Sequence, residues 1–204
     1  MRMKIKICGL KRLEDIDAVN RYRPDYIGFV FAESKRRVTP TQAAALKRQL
    51  AADIKAVGVF VDAGLDDIAS LCQSGVIDAV QLHGDESADF MVQLKRLVAQ
   101  PVIKAVRVQS REQIQMAEAL PCDFLLLDTY RENVYGGTGE CFDTALIPPL
   151  QKPFFLAGGL NADNIKKAAS SRPYCLDISS GVETNGVKDA EKIYKIVKII
   201  REEC

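Results

Sequence analysis

Eight short apolar runs, separated by amphipathic segments, recur along the whole 204-residue chain. The runs are rich in Val, Ile and Leu and are continuous rather than alternating, which is typical of parallel strands covered on both faces. We predict strands at Lys4–Cys8, Tyr26–Phe31, Ala56–Val61, Ala79–Leu82, Val102–Val108, Phe124–Asp128, Phe154–Ala157 and Leu176–Ser179. Each strand–helix unit then takes about 25 residues, which is short but sufficient for a (β/α)8 barrel.

This spacing predicts one α/β domain over residues 1–204, a TIM barrel of eight parallel strands. A doubly wound open sheet would give the same local pattern, but eight successive units leave no residues for a second domain. No linker, low-complexity repeat or block of charge marks a domain boundary. Helix N-caps are predicted at Thr39 or Thr41, at Ser110 and at Asn161.

Charge and composition exclude several classes of partner. The chain carries 28 Lys and Arg against 27 Asp and Glu, so neither nucleic acid nor a membrane surface is expected to attract it. The six cysteines form no Cys-x-x-Cys pair and no signal-like segment precedes the first strand, which favours free thiols and a cytoplasmic protein. The single histidine, His83, excludes a multi-histidine metal site.

Chemically useful side chains stand where predicted strands end. Cys8 ends the first strand and Asp128 ends the sixth. The carboxyl ends of the strands form the ligand-binding edge of a parallel α/β protein, so this thiol and carboxylate are a candidate base and acid pair. The plainer alternatives are an inert apolar cysteine and an aspartate that caps a turn.

Three glycine-bearing segments follow the late strands. They are Gly136–Gly139, Ala157–Asn161 and Ser179–Glu183. Glycines allow close backbone approach to a ligand, and successive N–H groups in such turns bind anions. A lone Gly-Gly pair can simply turn a tight corner, but the loops after strands seven and eight are the frequent phosphate site of barrels. The sequence therefore predicts a bound phosphate group.

Seven segments together carry a family resemblance: Lys6–Leu10, Ser34–Val38, Val57–Val61, Gln81–Gly84, Gly136–Gly139, Leu156–Leu160 and Asp177–Glu183. In this order they resemble the signatures of phosphoribosylanthranilate isomerase over nearly the full chain. The resemblance implies a barrel enzyme of tryptophan biosynthesis that needs no metal or cofactor. The implied reaction is an Amadori rearrangement of N-(5-phosphoribosyl)anthranilate to 1-(2-carboxyphenylamino)-1-deoxyribulose 5-phosphate. A small phosphosugar is then the partner, and both a monomer and a homodimer stay open.

The same resemblance implies roles for individual residues. Cys8 would be the general base, Asp128 the general acid and Arg36 the contact to the anthranilate carboxylate. An acid at position 128 must hold a proton at neutral pH, which desolvation by the three preceding leucines would favour. The implied phosphate cradle comprises Gly137, Gly158, Gly159, Ser180 and Gly181.

Two further polar residues are candidate substrate contacts. His83 follows the fourth strand, and its alternative role is a hydrogen-bonding histidine of the core or rim. Asp177 lies near the end of the eighth strand, and its alternative role is to orient the Ser179–Ser180 turn. The side chains of Lys6 and Lys104 can point either into the barrel or to solvent.

The chain departs from the family pattern at two places. Phe142-Asp143-Thr144 stands where the family usually has Phe-Asp-Trp, and Lys35 stands where it has proline. Neither change removes a proposed catalytic group. They concern the packing after strand six and the rigidity of the loop that carries Arg36.

Rival functions come from two classes. An indole-3-glycerol phosphate synthase would carry extra N-terminal residues and a catalytic Lys–Glu pair, and a ProFAR-type isomerase would have aspartate in place of Cys8. A catalytically silent phosphosugar-binding barrel would share the glycine loops, although the Cys8 and Asp128 pair argues against it.

Overall fold

The computed structural model describes residues 2–129 and 144–203. Within these ranges, eight parallel strands close into a barrel in which sequence neighbours pair and the last strand pairs with the first. The strands are β1 (Lys4–Cys8), β2 (Tyr26–Val30), β3 (Lys55–Phe60), β4 (Ala79–Leu82), β5 (Val102–Val108), β6 (Phe124–Thr129), β7 (Phe154–Leu156) and β8 (Cys175–Ile178). The predicted TIM barrel is confirmed.

Helices cover the outside of the barrel. They are α1 (Leu13–Tyr22), α2 (Pro40–Gln49), α3 (Leu65–Gln73), α4 (Ala88–Leu97), α5 (Arg111–Glu118), α6 (Ile165–Ala169) and α7 (Ala190–Glu203). Short 3₁₀ turns span Thr144–Leu146 and Ser180–Val182. After the second of these, β9 (Glu183–Thr184) and β10 (Val187–Lys188) form a small antiparallel hairpin. Across the described ranges, no helix has the length and apolar character needed to span a membrane.

The predicted caps are confirmed at two of three helices. The Thr39 hydroxyl accepts a hydrogen bond from the Gln42 amide at 3.2 Å, with Pro40 in the first turn of α2. Ser110 caps α5 in the same way. The prediction that Asn161 caps α6 is wrong. Its side chain accepts a hydrogen bond from the Asp163 amide within a local turn, and α6 begins only after Asn164.

Side chains alternate along each strand between the barrel interior and the helix layer. A compact apolar cluster fills the N-terminal part of the interior; its members are Val57, Ala79, Ile103, Ala105, Leu126, Phe155, Ala157 and Cys175. Three polar residues each lie two positions after a member of this cluster, so they face the interior as well. They are Gln81, Asp128 and Asp177. Lys6 pairs in register with Asp177, so it also faces inward. The apolar interior therefore ends in a polar layer at the C-terminal rim.

Candidate active site

Cys8 is the last residue of β1 at the rim, and the residue is 9% exposed. Gly28 on β2 lies beside it in register. A Cβ atom at position 28 would lie 2.6 Å from the Cys8 Sγ, so only glycine leaves room for the sulfur in this position. The Ser179 hydroxyl donates a hydrogen bond to the Cys8 carbonyl at 3.1 Å, which ties the loop after β8 to the end of β1.

The charges around Cys8 have opposing effects. Burial raises the pKa of the thiol, and the Lys6 ammonium opposes this shift. The Asp177 carboxylate raises the pKa further and Lys188 lowers it, so that the net direction is upward. Without a ligand, Cys8 is therefore a thiol at neutral pH.

Lys6 is fully buried within the polar layer. Its Nζ donates to the Asp177 Oδ2 at 2.8 Å and to the Gln81 Oε1 at 2.9 Å. Burial alone would lower the pKa of Lys6, but the charge of Asp177 and the hydrogen bond to it act in the opposite direction. The net direction of the pKa is upward, so the side chain stays charged. In the part of the chain that the structure describes, the Asp177 Oδ1 has no hydrogen-bond partner.

On the other side of Gln81 lie His83 and Asp128. The Gln81 Nε2 is 2.9 Å from the His83 Nδ1, and the His83 Nε2 is 3.5 Å from the Asp128 Oδ2. The second carboxylate oxygen of Asp128 accepts a hydrogen bond from the Thr129 amide at 2.8 Å. The structure thus brings Cys8, His83, Asp128 and Asp177 to one rim, linked through Lys6 and Gln81.

Arg36 reaches the same rim from the loop before α2. Gly9, with φ +87°, lies under its side chain, where a Cβ atom would collide with the arginine Cδ. The guanidinium donates from Nε and Nη2 to the two carboxylate oxygens of Glu183, both at 2.7 Å. Lys188 donates to the same carboxylate at 2.6 Å.

Charge pairing in this cluster changes the pKa values of its members. Burial would raise the pKa of Glu183, but hydrogen bonds from Arg36 and Lys188 lower it to about 2. The hydrogen bond with Glu183 raises the pKa of Arg36. Burial lowers the pKa of Lys188. Glu183 is therefore an ionised carboxylate that holds the arginine in place.

The glycine loops after β7 and β8 pack against each other and against β6. Gly158 and Gly159 have φ values of +90° and +64°, which favour glycine. A Cβ atom at Gly158 would collide with the Thr129 hydroxyl, and one at Gly181 would collide with the Leu160 carbonyl. Ser180 opens the 3₁₀ turn that contains Gly181. The predicted cradle residues in these two loops are thus neighbours at the rim, whereas Gly137 lies outside the described residues.

Sequence reasoning gave no role in the site to four residues of this rim, among them Lys6, whose direction it left open. Strand parity could have found two of them, because Lys6 precedes Cys8 by two positions and Gln81 precedes His83 by two. No local pattern links the other two, Glu183 and Lys188, to Arg36, from which they are separated by most of the chain. Among residues 2–129 and 144–203, no group of three His, Cys, Asp or Glu side chains is arranged to hold a metal ion.

The chain is similar to one family throughout. Residues 5–199 match the sequence profile of the family described as "PRAI: N-(5'phosphoribosyl)anthranilate (PRA) isomerase". A relative from Endomicrobium trichonymphae, named N-(5'-phosphoribosyl)anthranilate isomerase, is 51% identical over 199 residues, which cover 97% of this chain and 98% of the relative.

Solved structures agree with the sequence comparison. The phosphoribosyl anthranilate isomerase of Thermotoga maritima superposes with a TM-score of 0.89 and 35% identity over 98% of each chain. A phosphoribosyl anthranilate isomerase in complex with reduced 1-(o-carboxyphenylamino)-1-deoxyribulose 5-phosphate superposes with a TM-score of 0.82 and 31% identity, again over 98% of each chain. The chain belongs to the phosphoribosylanthranilate isomerase family, the isomerases of tryptophan biosynthesis.

Proposed function

We propose that this chain converts N-(5-phosphoribosyl)anthranilate to 1-(2-carboxyphenylamino)-1-deoxyribulose 5-phosphate, with Cys8 as general base and Asp128 as general acid. One observation carries the proposal: Cys8 and Asp128 occupy inward-facing positions at the same rim. Lys6, two residues before Cys8 on β1, is connected to Asp128 through Gln81 and His83. A thiol and a carboxyl group at the same rim of the barrel suit a reaction that needs both a base and an acid.

The first step opens the furanose ring. Asp128 donates its proton to the ring oxygen while the bond between that oxygen and C1′ breaks, and the anthranilate nitrogen supplies the electron pair that forms the C1′=N bond. The products of the step are an open-chain protonated Schiff base and an Asp128 carboxylate. Asp128 is partly open to the cavity, with its side chain 28% exposed, so a ligand at the rim can reach it.

The second step removes the proton from C2′. Cys8 first releases its thiol proton to solvent as the cationic Schiff base forms beside it. The resulting thiolate takes the C2′ proton, and the electron pair of the C2′–H bond neutralises the Schiff base to give an enolamine. The positive charge of the Schiff base stabilises a thiolate next to it, and Lys6 acts in the same direction. The enolamine then takes a proton at C1′ from the Cys8 thiol and releases the hydroxyl proton at C2′ to the Asp128 carboxylate. This gives the ketone product and restores the acid, and Cys8 regains a proton from solvent when the cation is gone.

Arg36 would bind the anthranilate carboxylate. A guanidinium presents a planar fork of donors that matches a carboxylate. The pair with Glu183 commits Nε and one N–H of Nη2, so the remaining donors at the Nη1 end lie on the side away from that carboxylate. Glu183 would thus orient Arg36 for the substrate rather than compete for it.

The phosphate group would bind in the loops after β7 and β8. Gly158 and Gly159 hold their backbone in left-handed conformations, and Gly181 packs directly on the preceding loop. Such turns direct successive N–H groups toward an anion. A family member was solved in complex with a ligand that carries a 5-phosphate, which supports a phosphosugar ligand for this chain.

The test is consumption of freshly prepared phosphoribosylanthranilate, followed by its fluorescence. The wild-type chain should turn it over without added metal, and pretreatment with EDTA should leave kcat unchanged, since all the proposed groups are side chains. A matched binding measurement uses the reduced product as ligand. Binding without turnover would contradict the proposal and indicate a silent phosphosugar-binding barrel.

A further inference from the structure

We propose that Gln81 is a positioning residue. The series of side-chain hydrogen bonds from Lys6 through Gln81 holds His83 in the tautomer that carries its proton on Nε2, the nitrogen that faces Asp128. The inference rests on the proposed function of Asp128 as the acid. It adds a device that keeps the acid's own proton directed at the substrate.

Four consecutive contacts form this series. The Lys6 Nζ lies 2.8 Å from the Asp177 Oδ2 and 2.9 Å from the Gln81 Oε1. The Gln81 Nε2 lies 2.9 Å from the His83 Nδ1, and the His83 Nε2 lies 3.5 Å from the Asp128 Oδ2. The series of contacts runs from Asp177 on β8 through β1 and β4 to the proposed acid on β6, so it crosses the barrel.

The direction of each hydrogen bond follows from Lys6. An ammonium group only donates, so the oxygen of the Gln81 amide must face Lys6. The amide NH₂ then faces His83 and can only donate, so Nδ1 must accept and carries no proton. The proton of the neutral ring is therefore on Nε2, and His83 presents a donor to Asp128.

This polarity decides where the proton of Asp128 can go. With the opposite tautomer, Nε2 would be an acceptor, and a protonated Asp128 would donate its proton to His83. With Nε2–H, the histidine instead presents a donor to Oδ2, and the Thr129 amide donates to Oδ1. Neither neighbour can then accept the proton of the acid, which is left to point toward the substrate. The 3.5 Å separation is long for a hydrogen bond, and we expect it to shorten when substrate binds.

His83 is the only histidine of the chain, which makes the tautomer directly measurable. Protein labelled with ¹⁵N-histidine has a single pair of ring nitrogens, and long-range ¹H–¹⁵N correlations assign the protonated one. In alkaline buffer, the wild-type spectrum should show Nε2 protonated and Nδ1 unprotonated. A spectrum with the proton on Nδ1, or an average of the two tautomers, would overturn the proposal.

Gln81→Glu replaces the donor that faces His83 with an acceptor, and the side chain keeps almost the same shape. Its carboxylate can still bind Lys6, but it offers His83 an acceptor, so the proton should move to Nδ1. We expect kcat to fall by about 10- to 100-fold, within the range of a positioned proton transfer, while binding of the reduced product stays within about twofold. Gln100→Glu is the control, because Gln100 donates to the Cys72 carbonyl away from the rim. That variant should keep the wild-type kcat and His83 spectrum.

A double-mutant cycle separates positioning from a general effect on the barrel. If Gln81 acts through Asp128, Gln81→Glu should cost less than about twofold in an Asp128→Asn background. A full, independent loss there would overturn the proposal, as would a Gln81→Glu variant with the moved proton and an unchanged kcat. A wild-type rate in Asp128→Asn alone would reject the proposed role of Asp128 as the acid. The tautomer proposal is tested separately, because the NMR spectrum of His83 does not depend on turnover.

Discussion

Cys8 lies in a site that keeps it protonated until a cation arrives. Burial raises its pKa, so the thiolate is the minor form at neutral pH, and Lys6 limits the size of this effect. The proposed base is therefore created by the Schiff base that it acts on. Such an arrangement keeps a reactive thiolate out of the unliganded enzyme.

Alkylation of Cys8 by iodoacetamide tests this charge state. Because the pKa is raised, the alkylation rate should keep increasing as pH rises past the range in which an ordinary thiol levels off. Site-resolved mass spectrometry gives the rate for each cysteine. Cys72 is an internal control, since burial raises its pKa to about 11. A rate for Cys8 that is already constant from neutral pH upward would contradict the raised pKa.

Gly28 should be nearly as sensitive to substitution as Cys8 itself. In Gly28→Ala the new methyl group would stand 2.6 Å from the Cys8 Sγ, so the sulfur or the strand must shift. We expect kcat to fall by at least about tenfold, because a displacement of about 1 Å can cost a hundredfold, with a loss of about 1–3 kcal/mol in stability. Kinetics and urea unfolding measure the two effects.

Gly64→Ala is the matched control for that substitution. Gly64 has φ −67°, and a Cβ atom there would meet only the Asp67 carboxylate at 3.4 Å. This variant should keep wild-type turnover. A Gly28→Ala enzyme as active as Gly64→Ala would mean that Cys8 tolerates displacement and is not the base.

At the scale of elements, the hairpin β9–β10 follows β8 in sequence and contacts the loop that carries Arg36 through an ion pair. Glu183 on β9 and Lys188 on β10 face each other in register, and both belong to the ion cluster around Arg36. The hairpin thus holds the arginine from the β8 side of the rim, with β1 between β8 and β2.

This ion cluster should make the free energy of unfolding depend on pH in the acid range. The pKa of Glu183 is about 2 in the folded chain against an ordinary 4.5, so its stabilisation is complete above pH 4.5 and disappears as pH falls toward 2. The shift corresponds to at most about 3 kcal/mol. Urea unfolding of the wild type and Glu183→Gln should therefore differ most at neutral pH and converge in acid. A difference that stays constant across this range would contradict the pairing.

Elements were predictable from the sequence where the signal was local. The eight apolar runs reappear as strands with bounds shifted by about one residue, which is the usual uncertainty of strand and helix ends. Thr39 and Ser110 cap helices as predicted because the cap hydrogen bond joins residues three apart. The prediction for Asn161 was wrong because an asparagine side chain can either cap a helix or close a local turn. The sequence does not show which of these two hydrogen bonds will form.

At the scale of the whole molecule, the order of the strand ends determines what meets at the rim. Cys8, His83, Asp128 and Asp177 were predicted there from their places after strands, and the structure brings them together. The direction of the Lys6 side chain was left open and Gln81 was missed, although each lies two positions before a predicted site residue on the same strand face. Glu183 was missed because its partner, Arg36, comes from a loop at the other end of the sequence.

The apolar interior below this rim gives the polar layer its rigidity. Phe155 contacts Tyr26, Phe124 and Tyr174, with ring centroids 5.6 to 5.7 Å apart. These rings belong to the apolar interior that lies beyond the polar layer, toward the start of the strands.

The most direct test of the account is kcat for Cys8→Ala and Asp128→Asn at saturating phosphoribosylanthranilate. We predict that each variant loses about 10²- to 10⁴-fold in kcat. Both should still bind the reduced product with near-wild-type affinity, and Cys72→Ala, which removes a buried thiol from α3, should turn over like the wild type. A kcat close to the wild-type value in either Cys8→Ala or Asp128→Asn would contradict the acid–base pair on which the account depends.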